Sequence, residues 1–260
     1  MRAASRLLLS CKWTTIILLL TTECMAHAQS ISVGPAATSS PMMPTSSTST
    51  PVATDPSLIF KPALPFRFAS GPENAPGLVI EFFKRLALHD KPELANSTTL
   101  QVWPPIQGYP LDIETAANHG QFQANPSQLT YLIEDSGQTV ALITAGSDRT
   151  GKFYLSSLAF SYNNWQPTEL VNALEKAAAS DKVKQGSYEV RLLTSPTYFF
   201  LMAVWLKSIP GGTDLIFPYH ISSESGLQNG KPYTVEEFLK IIQPIAKKRL
   251  DNLSKAPFGA

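Results

Sequence analysis

Asp214 and His220 are the residues of this sequence whose types and spacing could carry out acid–base chemistry. They bound the apolar segment LIFPY, with Asp214 directly before it and His220 directly after it. In a shared cavity, burial shifts the pKa values of such groups, and an Asp–His pair can transfer protons. Each residue also has an ordinary explanation, because Asp is a common turn residue and a lone His at a strand end is usually exposed. The two are candidate catalytic residues.

Three further polar residues lie near this pair in the sequence or in the predicted sheet. Arg191 belongs to SYEVRLLT, a predicted strand beside residues 198–206, while Tyr219 precedes His220 and Glu224 follows it. A guanidinium, a phenol and a carboxylate can each orient a polar ligand by hydrogen bonds. Arg191, Tyr219 and Glu224 are therefore candidate binding residues.

The aromatic residues allow two interpretations. Trp103, Trp165 and Trp205, together with the Phe-Phe pairs at 82–83 and 199–200, could line a hydrophobic pocket. Large aromatic side chains more often fill an ordinary core.

The sequence lacks the strong signatures of cofactor and metal chemistry. It contains no G-x-G-x-x-G, G-x-x-x-x-G-K-[ST], H-E-x-x-H or G-x-S-x-G pattern. His89, His119 and His220 lie far apart and show no metal-ligand spacing. Both cysteines, Cys11 and Cys24, fall within the first 28 residues. We expect no metal and no cofactor, and no disulfide if those residues are removed.

The uncharged segment YFFLMAVWL (198–206) is the first element that must position these side chains. As a helix it would span roughly 14 Å, less than half of a bilayer core, so it cannot be a membrane anchor. As a strand it would span roughly 30 Å, and its lack of alternation requires both faces to be covered. We predict a central strand, with a short buried helix as the alternative. The following strand should lie at an edge or bend at Pro218, which lacks an N–H donor.

Three helices are predicted around the strands. Apolar residues at i, i+3, i+4 and i+7 predict an amphipathic helix at about 78–89. Pro167 in a first-turn position begins a second helix. Thr234 and Glu237 form a capping box at the start of the third, in which Pro244 should produce a kink or a division.

The order of helix, strands, helix, strands and helix predicts one α+β domain. Further strands are expected at 98–103, on both sides of Asp135-Ser136-Gly137, and at 152–160. The predicted architecture is an antiparallel sheet of two meanders or hairpins, one face of which is packed by about three helices. The first helix running into HDKPELANS resembles the opening of cone-shaped NTF2-like α+β folds. This resemblance implies an alternative fold in which a curved sheet encloses a pocket.

The N-terminus has the pattern of a secretory signal peptide. Arg2 and Arg6 precede the apolar run at 14–22, and Ala26-His27-Ala28 forms an A-x-A cleavage site. The run is short for a bilayer span and Lys12 lies close to it, which disfavours the alternative of an uncleaved anchor.

A lipid anchor at Cys24 is a further alternative. The preceding Thr21-Thr22-Glu23 disfavours it, because the lipobox pattern it would have to resemble has an aliphatic residue first and a small residue last. We predict that residues 1–28 are removed and that the protein is periplasmic or extracellular.

Residues 29–57 are predicted to be a disordered tether. Of these 29 residues, 18 are Ser, Thr or Pro and Asp55 carries the only charge, so the segment cannot bury enough apolar surface to fold. Residues 58–260 are predicted to be the single globular domain. Removal of residues 1–28 takes away three bases and one acid from a chain of net charge +1, which leaves −1. No global field favours nucleic acid.

These observations support a first hypothesis of an exported, non-enzymatic module that binds an unidentified protein or small ligand, or belongs to the cell envelope. The alternative is a cofactor-independent enzyme with a hydrophobic pocket, in which Asp214 and His220 act as an acid–base pair. The two hypotheses differ in whether those side chains share a cavity.

Overall fold

The predicted strands pair into one sheet. The structure is a computed structural model and describes residues 56–118, 126–162, 164, 166–195 and 201–255, which belong to one compact unit, Thr50–Ala260. The strands of these ranges are β1 (Phe66–Arg67), β2 (Leu100–Val102), β3 (Ile106–Pro110), β4 (Gln128–Asp135), β5 (Gln138–Ser147), β6 (Phe153–Phe160), β7 (Tyr188–Ser195), β8 (Leu201–Ser208), β9 (Leu215–His220) and β10 (Tyr233–Thr234). Their order is β10-β9-β8-β7-β3-β4-β5-β6, with β1 beside β7 and β2 beside β4.

Two antiparallel series of strands diverge from a parallel pair at the centre of the sheet. β3 and β7 run parallel, with Gln107 opposite Arg191. On one side β4, β5 and β6 follow in antiparallel order, and on the other side β8, β9 and β10 do the same. The α+β class and the mostly antiparallel sheet are confirmed. The sheet is larger than predicted because short segments such as β1 and β10 extend it.

The hairpin predicted around Asp135-Ser136-Gly137 joins β4 to β5. Ser136 and Gly137 have φ values of 51° and 80°, and positive φ at both central residues is the type I′ geometry that matches strand twist. Gly137 adopts it without a steric penalty. The tight turn holds Glu134 and Gln138 at the same end of the sheet.

Six helices of the described ranges cover both faces of the sheet. They are α1 (Ala75–Asp90), α2 (Pro92–Ala95), α3 (Ile113–Ala117), α4 (Gln166–Ala179), α5 (Asp181–Lys184) and α6 (Val235–Lys255). Leu132 packs with α4, whereas its neighbours Tyr131 and Ile133 pack with α1 on the opposite face. In β8, Val204 likewise faces α4, and Trp205 faces α6.

Three parts of the fold prediction are therefore wrong. Helices lie on both faces rather than one, because the buried strands are apolar on both sides. The described helices also number more than three. The additional ones, α2, α3 and α5, were not predicted because they have only four or five residues and show no periodic pattern. An open sheet covered on both faces also excludes the cone-shaped NTF2-like alternative, in which the sheet itself encloses the pocket.

The predicted central strand is β8, which lies between β7 and β9. Residues 198–200 of that prediction lie outside the described ranges. The bend expected at Pro218 is confirmed as a β-bulge, because Ala203 pairs with Pro218 while Met202 pairs with His220.

The start of α6 is the predicted capping box. Thr234 Oγ1 accepts from the Glu237 N–H at 3.1 Å, and Glu237 Oε2 accepts from the Thr234 N–H at 2.8 Å. Division at Pro244 is not observed, since α6 runs from Val235 to Lys255 as one helix. None of the helices in the described part of the chain is long and apolar enough to cross a membrane. The predicted signal peptide, Cys11, Cys24, His119 and Trp165 lie outside the described residues.

Candidate functional site

Asp214 is fixed at the start of β9 by three hydrogen bonds. Its carboxylate accepts from Trp205 Nε1 at 3.1 Å, from Lys207 Nζ at 3.1 Å and from the Ser208 N–H at 3.0 Å. The side chain is only 16% exposed. These hydrogen bonds tie the end of the β8–β9 loop to the last residues of β8.

His220 lies at the other end of β9. Six residue steps along the strand place the two candidates roughly 20 Å apart. Asp214 contacts Trp205 on the face covered by α6, whereas His220 Nδ1 lies 3.8 Å from Glu169 Oε2 of α4, on the opposite face. The structure therefore does not bring Asp214 and His220 together.

Arg191 is held between two aromatic rings. Its guanidinium carbon lies 4.8 Å from the ring centroid of Tyr109 and 4.9 Å from that of Trp205, and its Nε donates to Glu189 Oε1 at 2.7 Å. Burial raises the pKa of Tyr109, and the positive charge of Arg191 partly offsets this. Trp205 thus contacts both Arg191, through its ring, and Asp214, through its indole N–H, and this partly buried series of contacts links β7, β8 and the residue before β9.

Tyr219 and His220 meet a residue that was not predicted, Glu169. Tyr219 is buried beneath α4, and burial, followed by the charge of Glu169, raises the pKa of its hydroxyl. Tyr219 and Glu169 line a small cleft of about 220 Å³. Glu224 is exposed elsewhere and pairs with Arg249 at 3.4 Å.

A larger cleft of about 640 Å³ lies on the α4 face of the sheet, between α4, the β4–β5 hairpin and the extended segment 60–64; we name it the α4 cleft. One side of α4 contributes Thr168, Val171 and Glu175, which are three, four and seven residues apart and so share a helix face. The extended segment contains Pro62 and precedes α1 in the chain. Its Phe60 N–H donates to the Val102 carbonyl at 2.9 Å, which ties it to the sheet.

The floor of the α4 cleft holds Trp103 and Glu134. Trp103 Nε1 donates to Glu134 Oε1 at 2.9 Å, and Phe60 stacks on Trp103 at 5.5 Å. Glu134 is only 7% exposed. The hydrogen bond to Trp103 is the only one that its carboxylate makes among the described residues, so Oε2 is available to the cleft.

The electrostatic character of the α4 cleft is acidic. Glu134 and Glu175 both line it, and no Lys, Arg or His is among its described lining residues. A buried carboxylate is costly when its charge has no cationic partner. One neutral indole donor offsets only part of this cost. The arrangement can therefore bind a cation or a strong hydrogen-bond donor.

Sequence reasoning named Trp103 as a possible pocket residue but missed Glu134 and Glu169. Glu134 directly precedes the turn residue Asp135, a position that normally indicates a solvent-exposed side chain. Its burial depends on the segment 60–64 and on α4, both of which are distant in the chain. No local pattern could have indicated it.

Comparison of the chain with protein-family models, curated proteins and solved structures gives no match. Among the residues that the structure describes, no group of three or more His, Cys, Asp or Glu side chains is arranged to hold a metal ion. The interpretation of the site therefore depends on its geometry.

Proposed function

We propose that this protein is an exported, non-enzymatic binding module and that its ligand binds in the α4 cleft. The observation that carries this proposal is that the carboxylate of Glu134 lies nearly buried at the floor of a cleft of about 640 Å³. That volume is in the range of small-molecule sites. Asp214, one of the two candidate catalytic residues, is instead engaged by three donors.

The chemistry of the cleft indicates a cationic ligand, either an amine or a guanidinium group on a small molecule or a peptide side chain. Glu134 Oε2 would accept a charge-assisted hydrogen bond, which is stronger than a neutral one. Glu175 adds negative charge on the α4 side, and Phe60 offers a ring to the apolar part of the ligand. An anionic ligand would meet two carboxylates and no base.

Calorimetric titration with a matched pair of probes tests this proposal. N-acetylarginine amide and N-acetylcitrulline amide have nearly the same shape, but only the first is charged. We expect the arginine probe to bind more tightly. Glu134→Gln should weaken its binding about tenfold or more while leaving the citrulline probe nearly unchanged.

Glu236→Gln is the control, because Glu236 is an exposed carboxylate on α6, away from the α4 cleft. It should leave both affinities unchanged. Equal binding of the two probes by the wild type, or an equal effect of Glu236→Gln and Glu134→Gln, would contradict the cationic site.

Export is supported by the N-terminal residues alone: the basic Arg2 and Arg6, the apolar run at 14–22 and the Ala26-His27-Ala28 site. Expression in a secreting host, followed by fractionation and N-terminal sequencing, tests it. We expect a soluble exported chain that begins at Gln29. A chain that retains Met1 in the cytoplasm would contradict export.

One observation favours the second candidate function, a cofactor-independent enzyme. His220 Nδ1 lies 3.8 Å from Glu169 Oε2, next to the buried hydroxyl of Tyr219. A Glu–His pair at a cleft can transfer protons, although 3.8 Å is longer than a hydrogen bond. If this function is correct, hydrolysis of an aryl ester such as p-nitrophenyl acetate should be lost in His220→Gln and retained in His89→Gln.

A further inference from the structure

A second, mainly apolar pocket lies on the face of the sheet opposite the α4 cleft. It has a volume of about 430 Å³ and is formed by the loop before α1, the first turn of α1 and the chain around β2. Its floor is Val102, Ala75 and Tyr131, each 1% exposed. We name it the Tyr131 pocket.

Tyr131 is the only residue in the described lining of this pocket that has a side-chain hydroxyl. The hydroxyl oxygen is buried and has no hydrogen-bond partner among the described residues. Buried polar atoms without partners are few in folded proteins, because a buried group that makes no hydrogen bond destabilises the fold. Such an atom in the wall of a pocket indicates a group that a ligand completes.

The position of Gly71 shows where the hydroxyl points. Gly71 is an exposed residue at the rim, and a Cβ atom added to it would lie 2.5 Å from Tyr131 Oη. The ring itself is held against Phe153 in an edge-to-face contact at 6.3 Å. The hydroxyl therefore lies directly beneath Gly71 at the rim, where only a residue without a side chain leaves room for it.

The polarity of the ligand follows from the other lining residues. Ile59, Pro72, Pro76, Pro104 and Pro105 are apolar, and Glu73 is the only charged residue among the described lining residues. The phenol of Tyr131 is protonated at neutral pH and can donate, and burial, which raises its pKa to about 12, keeps it protonated in more alkaline solution as well. The described lining holds no Lys, Arg or His that could pair with a carboxylate ligand, whereas a neutral acceptor needs only the hydroxyl of Tyr131.

We propose that the Tyr131 pocket binds a small, largely apolar molecule with one neutral acceptor, a ketone or ester carbonyl oxygen, which accepts a hydrogen bond from Tyr131. This inference goes beyond the proposed function, because it concerns a different face of the sheet and a neutral ligand. It does not depend on Glu134.

Binding of acetophenone and α-methylstyrene to the full chain, measured by NMR titration, tests the proposal. The two probes have the same shape, but only the ketone carries an acceptor oxygen. We expect the wild type to prefer acetophenone by about fivefold. Tyr131→Phe should abolish this preference by weakening acetophenone binding, with little effect on α-methylstyrene.

Two further variants make the result decisive. Tyr154→Phe removes an exposed hydroxyl on β6 and should leave both affinities unchanged. Gly71→Ala places a methyl group against Tyr131 Oη and should weaken both probes alike. Absence of binding to the wild type, or a ketone preference that persists in Tyr131→Phe, would overturn the proposal. If Tyr131→Phe does not fold, unchanged affinities in Gly71→Ala would overturn it equally.

Discussion

Trp103 donates its indole N–H to Glu134 at a distance of 2.9 Å, across a separation of 31 residues in the chain. Trp103 belongs to the core beneath α4 and also stacks with Phe60. Trp103 therefore anchors the extended segment 60–64 through its stacking on Phe60 and orients the buried carboxylate of the α4 cleft through its hydrogen bond. Stability and binding are coupled at this pair.

Trp103→Phe should destabilise the protein by more than the loss of packing alone. Phenylalanine leaves Glu134 Oε1 without its donor, and an unsatisfied buried carboxylate oxygen adds about 1–3 kcal/mol to the cost. Urea unfolding of Trp103→Phe, of Glu134→Met, which removes the acceptor, and of the double variant measures the coupling free energy. We expect the two changes to be clearly non-additive. Additive losses would show that the hydrogen bond contributes nothing.

Asp214→Ala should lower stability without affecting either ligand site. It removes the acceptor of Trp205, Lys207 and Ser208, and we expect a loss of about 1–3 kcal/mol in the free energy of unfolding. The exposed Asp251→Ala on α6 is the matched control and should change it by less than about 0.5 kcal/mol. The arginine probe should bind Asp214→Ala as it binds the wild type. If Asp214→Ala instead lost binding of the arginine probe while Asp251→Ala did not, Asp214 would belong to the functional site.

Much of the fold could be predicted because its signals are local. The period of α1, the capping box at Thr234 and Glu237, and the turn at Ser136-Gly137 all act within a few residues. Short helices and the parallel pairing of β3 with β7 could not be predicted in this way. That pairing joins Gln107 to Arg191, and only the assembled tertiary structure determines it.

The candidate site was less predictable than the fold. Asp214, Arg191 and His220 were identified by residue type, but their roles depend on partners that strand register supplies. Register places Trp205 between Arg191 and Asp214, whereas the loop and helix that bury Glu134 come from distant parts of the chain. A charged residue beside a turn gives no sign of such burial.

Raising the pH should destabilise the protein partly through Tyr131. Burial raises the pKa of Tyr131 from 10.0 to about 12, so the folded state retains a proton that the unfolded state loses. The corresponding stability is fully present below about pH 10 and is lost as the pH rises towards 12.

Urea unfolding of the wild type and Tyr131→Phe between pH 9 and pH 11 measures this contribution. The wild type should lose more stability over this interval than the variant. Tyr131→Phe should still lose some stability as the pH rises, because burial also raises the pKa of Tyr219. The exposed Tyr154→Phe should behave like the wild type, and identical curves for all three proteins would contradict the assignment to Tyr131.

Pro244→Ala should stabilise the protein, because Pro244 is an exposed residue within the continuous helix α6. Proline has no N–H to donate to the carbonyl of Lys240, and its ring crowds that carbonyl. Alanine restores the hydrogen bond, and we expect a gain of about 1–3 kcal/mol in the free energy of unfolding, measured in urea. Lys247→Ala, at another exposed position of α6, controls for helix propensity and should change stability by less than about 0.5 kcal/mol. A loss of stability in Pro244→Ala would mean that the proline fixes a bend on which the packing of Ile242 and Ala246 depends.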